Sequence, residues 1–173
     1  QRITEGLATM LERYHPLWLN THFNHPKEIT SEAAAACDRL LRHGIVVQNQ
    51  SVLLKGINDD LPTLRRLLTE LLKIRVRPYY LYHCDNALGI SQFVTTLEAG
   101  RALMRGLKGY LTGFAVPEYV ITTPLGKIPL CEEWLHCDEN GYWVENYEGK
   151  RMYLYGPLLS SEPQLPLTVA LKE

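Results

Sequence analysis

Charge of one sign is missing from this sequence. Eighteen Lys and Arg stand against nineteen Asp and Glu, a formal net of −1, which leaves no field to hold nucleic-acid phosphates or an anionic membrane surface. Cysteine is scarce as well. Cys37, Cys84, Cys131 and Cys137 are too few for a disulfide scaffold, have no Cys-x-x-Cys spacing, and read as reduced thiols. No apolar run approaches the roughly 18 to 20 residues of a bilayer crossing, and the N-terminus lacks the charged-then-apolar profile of a signal peptide. The expectation is a cytoplasmic protein with neither nucleic acid nor membrane as partner. What is present is the composition of one soluble globular domain, 173 residues with 46% hydrophobic and 21% charged, enough for a sizeable core. The chain opens at Gln1 inside an amphipathic pattern of Ile3, Leu7, Met10 and Leu11, which reads as a piece of something longer.

Four extended apolar stretches recur about every 30 residues, the period of βα units: Leu17 to His22, Gly44 to Leu54, Val76 to Cys84 and Leu111 to Ile121. Helical spacing predicts a helix from Thr30 to His43, capped by Thr30 and stopped by Gly44. A second is expected from about Leu61 to Lys73 after Asp60, and a third near Thr96 to Leu107, with a capping box formed by Thr95 and Glu98. The alternation predicts an α/β fold, part of a (β/α) barrel with parallel strands, over residues 1–123. Residues 124–159 change character to Trp134, Tyr142, Trp143 and Tyr153, broken by Asn140-Gly141 and Glu148-Gly149, and read as an antiparallel β-extension. A loose tail is expected over 160–173.

In parallel α/β folds ligands gather at the carboxyl ends of the strands, and these ends are polar here. The first carries Asn20, His22, Asn24 and His25, the second Asn49, Gln50 and Ser51, the third His83, Cys84 and Asp85. Hydrogen bonding of a polar ligand by His22, Asn20 and Asn24 stands against a loop that satisfies its own backbone. Asn49 and Gln50 in an apolar strand need partners, either a ligand or a structural network. Asp85 either receives a substrate ammonium or caps the next segment of the chain. His22-x-x-His25 sits at a strand end before Pro26 with no third ligand, and Cys131, His136 and Cys137 fit no usual zinc spacing, so no metal site is expected. Lys127, in a Gly-Lys where the chain leaves the α/β region, is either a solvated turn lysine or an imine-forming amine.

Longer runs go further. The stretches from Tyr14 to Thr30, Asn49 to Asp59 and Lys73 to Asp85, within a match from about Leu7 to Pro157, closely resemble lysine 2,3-aminomutases. The resemblance implies a radical S-adenosylmethionine enzyme that also uses pyridoxal phosphate, on a partial (β/α) barrel. In that family a [4Fe-4S] cluster cleaves S-adenosylmethionine to a radical that takes a hydrogen from the substrate, held as an imine with pyridoxal phosphate, and the amino group moves from C2 to C3. By resemblance Lys127 is the pyridoxal lysine and Asp85 binds the distal ammonium of lysine. His22 and Gln50, with Asn24 and Asn49 beside them, line the S-adenosylmethionine side. The family's Cys-x3-Cys-x2-Cys motif is not in this chain, so the cluster ligands are expected outside it and the chain alone is expected to be inactive. The family's second ammonium-binding carboxylate is replaced by Thr122 or Thr123, which reopens the substrate's identity. Asp60 stands where the family carries a cysteine for an intersubunit zinc, so that zinc is not expected. The resemblance implies an amino-acid substrate and a homo-oligomer; the alternative is a degenerate or truncated cofactor-binding module without catalysis.

Overall fold

The structure is a computed structural model that describes residues 2–85 and 87–154; the tail expected over 160–173 lies outside them. Its elements in chain order are α1 (Glu5–Glu12), β1 (Trp18–Thr21), α2 (Ser31–Arg42), β2 (Val46–Leu53), α3 (Leu61–Lys73), β3 (Arg77–His83), α4 (Leu97–Leu107), β4 (Glu118–Thr123), β5 (Gly126–Pro129), β6 (Leu135–Asp138), β7 (Gly141–Glu145) and β8 (Arg151–Tyr153). Each helix begins on a side chain that accepts a free N–H of its first turn: Thr4, Thr30, Asp60 and Thr96. After α2 the chain turns at Gly44 with φ 73°, a conformation that suits glycine.

β1 to β4 lie side by side in sequence order, all parallel, and β5 adds antiparallel to β4. β6, β7 and β8 form a separate antiparallel sheet. The fold is α/β with a mainly parallel five-stranded sheet and an antiparallel three-stranded extension. The β-structure expected over 124–159 starts as the last strand of the main sheet, because Thr123 and Gly126 close a hairpin around Pro124 and Leu125.

The core lies on one face of the main sheet. Leu64, Leu67, Leu68 and Leu71 of α3 are buried against a sheet surface that includes Val47, Leu53 and Leu81. Burial alternates along β2, with Val47, Asn49, Ser51 and Leu53 buried and Val46, Gln48, Gln50 and Val52 more open, as a strand covered on one side requires. In β3 the ladder to β2 shifts register between Asn49 and Gln50, so Asn49 pairs with Pro78 and Gln50 with Tyr80. Tyr79 is the extra residue of this bulge, which returns Tyr80 and Tyr82 to the open face while Leu81 and His83 stay buried.

Two local expectations are corrected. The fourth strand starts at Glu118 rather than Leu111, because Gly109 turns with φ 79° and 113–115 form a short 3-10 turn. The cap of α4 is Thr96, whose hydroxyl accepts from Ala99 N. Thr95 Oγ1 and Glu98 Oε2 are instead buried with no hydrogen-bond partner among the described residues.

Candidate active site

The open sheet face is ordered by strand register. Asn20 of β1 pairs with Gln48, and Gln48 Nε2 donates to Asn20 Oδ1 at 3.3 Å. One step further along, Gln50 lies beside Tyr80 and Tyr80 beside Glu118. Val52, Tyr82 and Val120 form the next row, and Thr122 faces Lys127 across the β4–β5 hairpin. The result is a floor of amides and phenols with one lysine at its edge.

Lys127 is exposed, and its Nζ lies 4.3 Å from the Tyr80 ring centroid and 5.0 Å from that of Tyr82. Those rings are 5.6 Å apart and nearly edge-to-face. Cation–π attraction of this kind holds an ammonium over a ring at a cost small enough to reverse, about 0.5–1 kcal/mol when exposed. Tyr80's phenol is raised well above its usual range, first by its hydrogen bond to Tyr79 and then by burial, so it serves as a neutral aromatic surface. A primary amine held there can condense with an incoming carbonyl once it gives up a proton.

Thr122 and Thr123 are not equivalent. Thr123 Oγ1 donates to Gly126 O at 2.9 Å and accepts from Leu125 N at 3.1 Å, so it is spent on the turn. Thr122 is exposed opposite Lys127. Asp85 comes just after the end of β3 and is exposed; its backbone carbonyl accepts from Ala87 N at 3.0 Å. An exposed carboxylate at a strand's carboxyl end is suited to receive a cation.

Asn49, expected next to Gln50 at a cofactor, belongs to the opposite face. It is 1% exposed, its Oδ1 accepts from Phe23 N at 2.7 Å and Thr21 Oγ1 at 3.0 Å, and its Nδ2 donates to Phe23 O at 3.1 Å and Ser51 Oγ at 2.9 Å. Its role is to tie the end of β1 to β2. Asn24 does related work, its Oδ1 accepting from Val52 N at 2.7 Å, and Asn58 Nδ2 donates to Asn24 O and Val52 O at 2.8 Å each. These amides fix the loop that presents His22, which is exposed. Gln50 makes no side-chain hydrogen bond among the described residues and remains on the open face. His25 Nδ1 accepts from Lys27 N at 3.1 Å, and His136 stacks on Trp143. Among the described residues no three His, Cys, Asp or Glu side chains group as metal ligands, and no helix is long and apolar enough to cross a membrane.

Sequence reasoning passed over Tyr80 and Tyr82. Their spacing of two in a strand is the signal that puts them on one face, but the bulge at Tyr79 is invisible to spacing.

No protein-family model matches the chain. Individual relatives do. The L-lysine 2,3-aminomutase of Fusobacterium nucleatum is 47% identical over 152 residues, covering 86% of this chain, and that of Bacillus subtilis is 48% identical over 152 residues, also covering 86%. Over 86% of its length the chain is similar to L-lysine 2,3-aminomutases. It spans 36% and 32% of the length of these two relatives. Within the lysine 2,3-aminomutase neighbourhood, the glutamate 2,3-aminomutase of Clostridioides difficile is 40% identical over all of this chain, which spans 40% of it. The fold is similar to that of a radical SAM methyltransferase from Sphaerobacter thermophilus, with TM-score 0.51 and 17% identity over 69% of this chain and 38% of that one.

Proposed function

We propose that this chain forms the substrate- and pyridoxal-binding part of a radical S-adenosylmethionine 2,3-aminomutase, which exchanges the amino group on C2 of an amino acid with a hydrogen on C3. The observation that carries the reading is Lys127, held over Tyr80 and Tyr82 on the open face. When bound, pyridoxal phosphate supplies the carbonyl that takes up an amine, and S-adenosylmethionine supplies the radical.

The donor set fits pyridoxal phosphate. Lys127 Nζ would attach it, the Tyr80 and Tyr82 rings would lie against its aromatic plane, and Thr122 would donate or accept opposite Lys127. Gln50 and His22, with Asn24 behind them, would line the S-adenosylmethionine side, and Asn49 would hold their loop from below. The chain does not fit the [4Fe-4S] cluster: Cys37 and Cys84 are buried, and no Cys-x3-Cys-x2-Cys run occurs. No step is therefore assigned to a cluster. Free thiols at Cys37, Cys84, Cys131 and Cys137 suit a reducing cytoplasm.

Asp85 selects the substrate class. An exposed carboxylate favours an amino acid with a distal ammonium, such as lysine, and repels one with a distal carboxylate, such as glutamate. With Thr122 in place of a second acid, the ammonium gains one charged contact from this chain. Incubation of the holoprotein with S-adenosylmethionine, pyridoxal phosphate and a reductant is expected to give the 3-amino isomer of lysine but not of glutamate. Asp85→Asn is expected to lower kcat/KM for lysine about 10- to 150-fold, the worth of one charged hydrogen bond. Turnover of glutamate in preference to lysine would overturn the substrate assignment, and turnover of neither would overturn the catalytic reading.

A further inference from the structure

β3 is fastened to its neighbours only up to its last residues. Its pairing with β4 ends at Tyr82 and Val120, and its pairing with β2 ends at Leu53 and His83. Cys84 and Asp85 therefore leave the sheet with no strand partner, and their direction depends on side chains. His83 turns to the helix-covered face, is 1% exposed, and its Nδ1 meets the Tyr119 hydroxyl at 2.5 Å. Tyr119 reaches that point because α4 has a glycine there; a methyl on Gly100 would overlap the hydroxyl.

The groups around the pair set its protons. Burial pushes His83 down to about 4, with the Thr95 backbone acting in the opposite sense, and burial raises Tyr119. Both are neutral at pH 7. A buried phenol needs an acceptor for its proton, and His83 Nδ1 is the atom within reach of the Tyr119 hydroxyl, while Nε2 has no hydrogen-bond partner among the described residues. The phenol therefore donates to Nδ1, and the neutral ring carries its proton on Nε2. The reverse tautomer would leave the phenol proton without an acceptor.

We propose that His83 is a positioning residue for Asp85: its bond to Tyr119, with the space opened by Gly100, fixes the last sheet-held residue and so aims the carboxylate two residues on at the substrate's distal ammonium. The inference deepens, and rests on, the role given to Asp85 above.

Tyr119→Phe in the holoprotein removes the donor and keeps the ring. The expected result is a rise in KM for lysine of roughly 2- to 12-fold, the range of an ordinary net hydrogen bond, with kcat held within about twofold. The inhibition constant of 2-aminohexanoate, which has the same chain but no distal amine, is expected to stay unchanged. In 15N spectra His83 is expected as a single Nε2–H tautomer that becomes mixed in Tyr119→Phe. His83→Asn, whose Oδ1 sits where Nδ1 was, is expected to keep KM closer to wild type than His83→Leu does. Equal losses for lysine and 2-aminohexanoate, or an Nδ1–H tautomer in the wild type, would overturn the inference. If Asp85→Asn separates the two compounds and Tyr119→Phe does not, this inference alone falls; if Asp85→Asn does not separate them, the role of Asp85 falls and takes the inference with it.

Discussion

Asn49 and Gln50 are neighbours with the same chemistry, and β2 sends them to opposite faces. Asn49 exchanges four hydrogen bonds with Thr21, Phe23 and Ser51, whereas Gln50 shares the open face with Tyr80. Their substitutions should separate accordingly. Asn49→Ala leaves buried backbone and hydroxyl groups unpaired and is expected to lower unfolding free energy by about 2–4 kcal/mol. Gln50→Ala is expected to stay within about 0.5 kcal/mol while weakening S-adenosylmethionine binding. Denaturant titration and ligand titration of both variants check the pair; a stability loss at Gln50 equal to that at Asn49 would contradict the assignment of faces. The sequence could not distinguish them. One parity of β2 is Val47, Asn49, Ser51 and Leu53, the other Val46, Gln48, Gln50 and Val52, so both carry two aliphatic and two polar residues and alternation alone names neither as the core side. Spacing alone left Asp85 open between a ligand role and a cap, and Lys127 open between a solvated turn and an imine; the roles proposed for them come from the family resemblance.

At the scale of elements, α1 is fastened to α2 by a titratable clamp. His43, in the C-cap of α2, has Nδ1 2.8 Å from Glu12 and Nε2 2.8 Å from Glu5, while Arg39 Nε donates to Glu5 at 3.1 Å and Arg39 Nη1 to Ile3 O at 2.6 Å. The backbone carbonyl of His43 meets His15 Nε2 at 2.9 Å. Two carboxylates on one imidazole require both nitrogens to donate, which only the charged ring does. The hydrogen bonds to Glu12 and then Glu5 raise His43 above 6.5, and the hydrogen bond from His43 lowers Glu5 below 4.5. A raised base stabilises fully below its unfolded value and loses that contribution as pH rises through its folded value; a lowered acid stabilises above its unfolded value and loses that contribution as pH falls through its folded one. The clamp is therefore complete between pH 4.5 and 6.5 and opens on either side. Hydrogen exchange of α1 amides is expected to show protection greatest in that window and falling towards alkaline pH, with the dependence flattened in His43→Leu. Protection that rises with pH would contradict the clamp.

Three helices, α2, α3 and α4, were readable from spacing because each has a long apolar stripe, and α2 and α3 also begin at the expected capping side chain. The start of β4 and the cap of α4 were not. Leu111 and Val116 extend an apolar run that the backbone breaks at Gly109 and Gly113, and Thr95 and Thr96 are both competent caps. The choice between them is tertiary: Gly100 must face Tyr119, which sets the rotation of α4 and makes Thr96 the residue at its start.

For the molecule as a whole, helices cover one face of the main sheet and the residues proposed for the chemistry lie on the other. The parallel strands bring Asn20, Gln50 and Tyr80 to a common surface, Asp85 follows the end of β3, and the antiparallel β5 returns Lys127 over Tyr80, so the proposed site draws on residues separated by more than a hundred positions in the chain. The bulge at Tyr79 joins the two, since without it Tyr80 and Tyr82 could not share a face with Gln50. This arrangement depends on Lys127 being the amine that holds pyridoxal phosphate. The most direct measurement is borohydride reduction of the holoprotein in the presence of pyridoxal phosphate, with peptide mapping by mass to locate the adduct. The account predicts one reduced adduct, on Lys127, absent in Lys127→Ala. An adduct on another lysine, or one that survives that substitution unchanged, would contradict it.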